Sequence, residues 1–289
     1  MRGLCVAVSG QPRPAHQRGK HMTLALYGKS RRRRGWLLSI ALLAVTLGVS
    51  ASLLLSSESS RADSAFIDFD GYADGNIDGQ DGWSKTGGYD LAVVDLGGGN
   101  KVLRASNAVA SGSFGDQTFS KSLVDEAGET WATNNGMSGG TRQNHFEVSW
   151  DIRSTEAAEQ TNLFLSFSPD RGDGSRMSYL GVGDGPGGLT VTFYDVNAPV
   201  PCTPVGCADF VPTVVASNLD RTVFHNLKLV MDFKDGPGND VVYVYVNGAL
   251  VHTGTSWENY FRHDPEASAE QTVRTVDSLL IRAGGTSVP

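Results

Sequence analysis

The clearest alternation of apolar and polar positions lies at 227–252. Leu227, Leu229, Met231 and Phe233 recur at every second position, the period of a strand with one buried face. A Lys-Asp-Gly-Pro-Gly-Asn turn at 234–239 follows, then the β-branched and aromatic run Val241-Val-Tyr-Val-Tyr-Val246. Asn247-Gly248 supplies two residues that accept positive φ, as a type I′ hairpin requires, and Ala249-Leu-Val-His252 returns along it. The segment is predicted to be a three-strand antiparallel meander.

The same period recurs on either side. Phe146, Val148, Trp150 and Ile152 take one face of a strand at 145–153, while Glu147, Ser149, Asp151 and Arg153 take the other, so Trp150 is expected in the core. Leu163, Leu165 and Phe167 repeat the pattern, as do Met177 with Tyr179, and Leu189, Val191 and Phe193. Further strands are expected at 66–70, 91–95, 101–105, 114–123 and 276–282, with Gly97-Gly98-Gly99-Asn100 as a hairpin connection. No segment after residue 62 keeps apolar residues at three- and four-residue spacing long enough for a stable helix. About a dozen short strands predict an all-β fold, a two-sheet antiparallel jelly-roll sandwich, because one open sheet of that size would leave an apolar face uncovered.

Charge divides the chain by position. Of 24 Lys and Arg, nine fall in the first 51 residues, which hold no acid; the remainder carries 15 basic against 31 acidic residues, a net charge of −16. A body so acidic argues against a nucleic-acid partner, which calls for clustered cations. Arg31-Arg32-Arg33-Arg34 precedes 20 uncharged residues at 36–55, long enough as a helix to cross a bilayer with the N-terminus held in the cytoplasm. The domain plan is a basic cytoplasmic N-region at 1–35, a signal peptide or signal-anchor helix at 36–62, and the sandwich at 63–289. Cleavage after small residues, at Val49-Ser50-Ala51 or Ser60-Arg61-Ala62, would secrete the domain; without it the domain stays on the cell surface, membrane-anchored through 36–55. In either case the compartment is extracellular. Cys202 and Cys207 flank Thr-Pro-Val-Gly, whose Pro and Gly turn the chain back, so a short-loop disulfide is expected there.

The stretch from Phe69 to Trp83, in which Asp-Gly recurs, together with Val241-Val-Tyr-Val-Tyr-Val-Asn-Gly248 and the strand pattern, resembles the concanavalin A-like lectin/glucanase superfamily, including laminin-G-like modules. The resemblance spans roughly 66–289 and implies sugar binding, glycan hydrolysis or adhesion. It also implies a final strand beside the opening one; the sequence stops soon after the strand at 276–282, so the sandwich at 63–289 is expected to lack that final strand and 66–70 to be an open edge. The Glu-x-Asp-x-x-Glu strand of the superfamily's glucanases has no counterpart, since none of the nine Glu has an Asp two positions later.

Candidate chemistry is sparse. Gly136-Met-Ser-Gly-Gly140 spells a nucleophile elbow, but a polar loop precedes it and a strand follows where a helix is needed. Gly183-Asp-Gly-Pro-Gly-Gly188 is a turn, because a strand follows it too. Arg171-Gly172-Asp173 spells an adhesion tripeptide, but within Ser-Pro-Asp-Arg-Gly-Asp-Gly it is expected as a hairpin loop. Asp74, Asn76 and Asp78 place oxygens at alternate positions, as in the first half of a calcium loop, but Lys85 stands where that loop needs a bidentate Glu. Asp-Gly turns account for the same residues. Trp257, Glu258, Asn259, Tyr260 and Arg262 combine aromatic rings with hydrogen-bonding groups on a loop after the meander, and Trp131 is a second loop aromatic. They form the candidate glycan site, with Trp257 as a plug of the sandwich end as the alternative. The expected function is noncatalytic binding of a neutral polysaccharide; the alternatives are a glycoside hydrolase and a structural or adhesion module.

Overall fold

The computed structural model describes residues 4–7, 67–88, 90–106, 117–121, 123, 145–170, 174, 176–197, 208–234, 238–263, 276 and 278–284. The run at 36–55, Trp131, Cys202, Cys207, the Gly-Met-Ser-Gly-Gly segment and the Arg-Gly-Asp tripeptide lie outside the described residues. Among the described residues no helix is long and apolar enough to cross a membrane.

The strands, in chain order, are Leu4–Ala7 (β1), Gly75–Asn76 (β2), Ser84–Lys85 (β3), Asp90–Asp95 (β4), Lys101–Ser106 (β5), Thr118–Phe119 (β6), His145–Ser154 (β7), Phe164–Asp170 (β8), Leu180–Gly185 (β9), Gly188–Asn197 (β10), Asp209–Leu219 (β11), His225–Asp232 (β12), Val241–Val246 (β13), Ala249–Gly254 (β14) and Ser278–Gly284 (β15). They form an eight-stranded sheet, β14-β13-β12-β7-β1-β5-β4-β2, and a seven-stranded sheet, β11-β10-β9-β8-β15-β6-β3. Every ladder is antiparallel. The fold is an all-β antiparallel sandwich.

Alternation builds the interior. Trp150 and Ile152 of β7, Leu103 of β5, and Leu227, Leu229 and Met231 of β12 enter one core with Leu165 and Phe167 of β8, Val182 of β9, Phe193 of β10 and Ile281 of β15. The Trp150 and Phe167 rings meet across the sheets with centroids 4.9 Å apart. The polar face of β7 is spent on its neighbour: Glu147 pairs with Lys228 at 2.6 Å and Asp151 accepts from Asn226 Nδ2 at 2.8 Å. The meander forms as expected. Asn247 and Gly248 have φ of 51° and 79°, and Val246 pairs Ala249 across the two-residue turn. Gly183-Asp-Gly-Pro-Gly-Gly188 contains the β9–β10 turn at Pro186-Gly187, with Gly185 opposite Gly188, and its first three residues close β9.

The structure differs from expectation in several places, among them Met177 and Tyr179, which precede β9 and are not in a strand. Ile67 and Phe69 are buried, but 67–70 is not a strand, so the open edge expected there does not exist. Phe69 instead packs against Tyr72 and Trp83, with ring centroids 5.6 and 5.8 Å away, and pins the Asp-Gly-rich loop to the core. β11 was not foreseen, because as an edge strand it is exposed at most positions and shows no strict alternation. Residues 258–263, expected as loop, form a short helix, α1 (Glu258–His263). The last difference is β1: a segment set apart with the basic N-region lies inside the larger sheet, between β5 and β7.

Candidate functional site

The hairpin β13–β14 delivers the chain to Thr255, and Asp195 of β10 receives it. One Asp195 oxygen accepts from the Thr255 amide at 2.8 Å and the other lies 3.0 Å from His252 Nε2. Gly254 permits this approach: a Cβ there would sit 2.2 Å from Asp195 Oδ1 and 2.7 Å from the Phe193 ring. Ser256 then starts the helix. Its hydroxyl donates to Asp240 Oδ2 at 2.8 Å and accepts from the Glu258 amide at 3.2 Å, which satisfies a first-turn N–H that has no partner within the helix. Asp240 also accepts from the Lys234 amide, tying the β12–β13 connection to the same point.

Trp257, between these anchors, is 6 % exposed. Its indole N–H donates to the Tyr194 carbonyl at 2.8 Å, and its ring stacks on Tyr179 at 5.4 Å with 7° between planes. Tyr194 meets Tyr179 edge-on at 4.9 Å. Burial, with a smaller contribution from Tyr179, raises the Tyr194 phenol above its ordinary pKa. Phe210 of β11 leans on Trp257 at 4.5 Å and on Tyr260 at 5.2 Å, and remains 40 % exposed. The seven-stranded sheet thus carries an aromatic layer on its outer side, separate from the main core, with Val196 and Phe164 packed into it.

Beside this layer opens a cleft of about 200 Å³, lined by Val196, Asn197, Gly238, Asp240, Thr255, Ser256, Glu258 and Asn259. Asp240 and Glu258 are each 4 % exposed. Of the residues expected at a glycan site, Glu258 and Asn259 line the cleft and Tyr260 stands beside Phe210. Trp257 is corrected: it lies beneath the surface, where two tyrosines and Phe210 cover its ring, and takes the plug role. The Arg262 side chain lies outside the described residues, as does Trp131. Sequence reasoning missed Phe210, which sits on the unforeseen β11, and Asn197, at the end of β10; Asp240 belongs to an oxygen-rich loop, Asp232 to Asp240, legible in the sequence.

The Asp74–Asn76–Asp78 group is turned toward protein donors. Asp74 pairs with Lys101 Nζ at 3.1 Å, Asn76 Oδ1 accepts from the Asp78 amide at 3.2 Å, and Asp78 Oδ1 accepts from the Lys85 amide at 3.2 Å. Gln80 crosses the loop, accepting from the Ala73 amide and donating to the carbonyls of Ala73 and Asn76. A calcium ion entering here would displace the Lys101 ammonium from Asp74. Among the described residues no cluster of three or more His, Cys, Asp or Glu is placed to hold a metal.

No protein-family model matches the chain, and no curated protein matches it. Among solved structures it is similar to endo-β-1,4-glucuronan lyase from the fungus Trichoderma reesei, at 14% identity over 73% of this chain and 81% of that one, with a TM-score of 0.27.

Proposed function

We propose that the cleft between β10, the β12–β13 connection and α1 binds a neutral glycan without cleaving it. The observation that carries this is the Phe210 ring, 40 % exposed on a buried Trp257 and paired in the sheet with Val196, a residue that lines a cleft of amide, hydroxyl and carboxylate groups. An exposed ring on a rigid base suits the C–H face of a sugar, and Asn197, Thr255 and Asn259 offer partners for its hydroxyls. The acidic body of the protein disfavours anionic polysaccharides. The protein on a glycan array should be retained by neutral polysaccharides, and Phe210→Ala should lose that retention with its melting temperature nearly unchanged. Retention by no glycan at all would remove the proposal.

A second reading has its own support. Asp240 and Glu258 line one cleft, and two carboxylates flanking a bound sugar are the working parts of a glycoside hydrolase. Turnover of a polysaccharide panel by the wild-type protein, lost in Glu258→Gln, would establish hydrolysis and displace the noncatalytic reading. Binding without turnover leaves the first.

A further inference from the structure

β1 is distant in sequence from everything it touches. It lies antiparallel to both neighbours, Leu4, Cys5 and Val6 pairing with Ala105, Arg104 and Leu103 of β5, and Leu4 to Ala7 pairing with Ser154 to Asp151 of β7. Register places Val6 level with Leu103 and Ile152, which belong to the buried core. Adjacent strands stand about 4.8 Å apart, so without β1 the strands β5 and β7 would face each other across roughly twice that distance. Each would present unpaired backbone N–H and C=O groups to an empty lane. The larger sheet would then be two pieces, β14-β13-β12-β7 and β5-β4-β2.

The link from β1 to the rest of the sandwich runs through residues 8–66, which contain the four arginines and the uncharged 36–55 run. Closing a connection of that length has an entropic cost that grows only logarithmically with the number of residues, and the two ladders must outweigh it for the strand to dock. The strand is therefore held by its two ladders rather than by its tether. Its sequence, Leu-Cys-Val-Ala, has no charge and no proline, and so can pair on both sides. A single crossing of a membrane by 36–55 would put β1 and the sandwich in different compartments, and cleavage after it would part them. A docked β1 and an exported sandwich exclude each other.

We propose that the lane between β5 and β7 is a strand-binding site whose ligand is the protein's own N-terminal strand, Leu4–Ala7, held noncovalently and exchangeable with the same strand added from outside. Export or cleavage opens the lane, and a docked segment marks chains whose N-terminus and sandwich remain on one side. The recognition is β-strand addition on both edges at once, with main-chain bonds supplying affinity and the core-level position of Val6 supplying register.

The test uses the full chain with a site-specific protease sequence inserted between Gly10 and Gln11. After cutting, the N-terminal segment should stay with the protein on size exclusion, and excess labelled Met1–Gly10 peptide should replace it at one per chain. The same peptide carrying Val6→Pro, which has no N–H for the ladder, should fail to bind. In the uncut chain, Val6→Pro should lower the melting temperature; if that variant does not fold, the peptide exchange still decides. Release of the segment from a body whose melting curve matches the uncut protein would overturn the proposal. So would equal binding of the two peptides, which would reveal nothing more than a sticky edge, or an unchanged melting temperature in Val6→Pro.

Discussion

At the residue scale, Tyr72 shows how the Asp-Gly loop is tied down. Its hydroxyl donates to Asp81 at 2.7 Å and accepts from the Trp83 indole at 3.2 Å. Burial first, then the hydrogen bond to Asp81, pushes the phenol from 10.0 up to about 12. The folded state holds this proton more tightly than the unfolded chain, so the contribution to stability is complete below about pH 10 and is lost as pH rises toward about 12. Urea midpoints measured across that window should fall, and Tyr72→Phe should fall less steeply. Asp81 behaves in the opposite sense. Lys121 and then Tyr72 hold its carboxyl below the ordinary 3.8, so its contribution is present above that value and disappears as acid protonates the folded form. Its side chain is exposed and Asn accepts its φ of 43°, so Asp81→Asn should cost less than about 1 kcal/mol. Gly254 is less tolerant. A methyl group there meets Asp195 and Phe193 at once, and Gly254→Ala should destabilise by about 1–3 kcal/mol, read as a lower denaturant midpoint.

At the element scale, α1 and β11 frame the cleft. The helix is too short to persist alone, and Ser256, Asp240 and the buried Trp257 hold it in place. Trp257→Ala should therefore cost about 3–5 kcal/mol and remove glycan retention together with stability, in contrast to Phe210→Ala. Comparing melting temperature with retention for both variants separates the platform from its support. The Asp-Gly loop is an element completed by its own side chains. With Asp74, Asn76 and Asp78 already engaged by Lys101 and backbone amides, neither calcium nor a chelator should shift the melting temperature. A rise on adding calcium, reversed by chelation, would show instead that the ion displaces Lys101.

At the scale of the molecule, one core joins the two sheets, and Trp150 against Phe167 is its crossing point. The cleft lies at the side where β10 and β11 of one sheet come near β14 of the other, so carboxylates from a hairpin connection and a helix start converge there. The larger sheet includes β1, a strand contributed from the N-terminal end of the chain.

The sequence alone determined the all-β class, the meander with its Asn247-Gly248 turn, and the core placement of Trp150. Each follows from spacing within a single segment, since a two-residue period with one buried face permits one orientation of the strand. Tertiary structure decided what depends on partners far along the chain. Phe69 is buried without being in a strand because aromatic packing holds it; β11 is a strand because β10 offers it an edge; four N-terminal residues join a sheet because β5 and β7 leave a lane between them. Trp257 reads from its neighbours as either a surface platform or a plug, and it is interior because Tyr179, just before β9, and Phe210 of β11 arrive to cover it. Local pattern fixes how a segment folds, and which surfaces meet is fixed by residues that no window of sequence holds together.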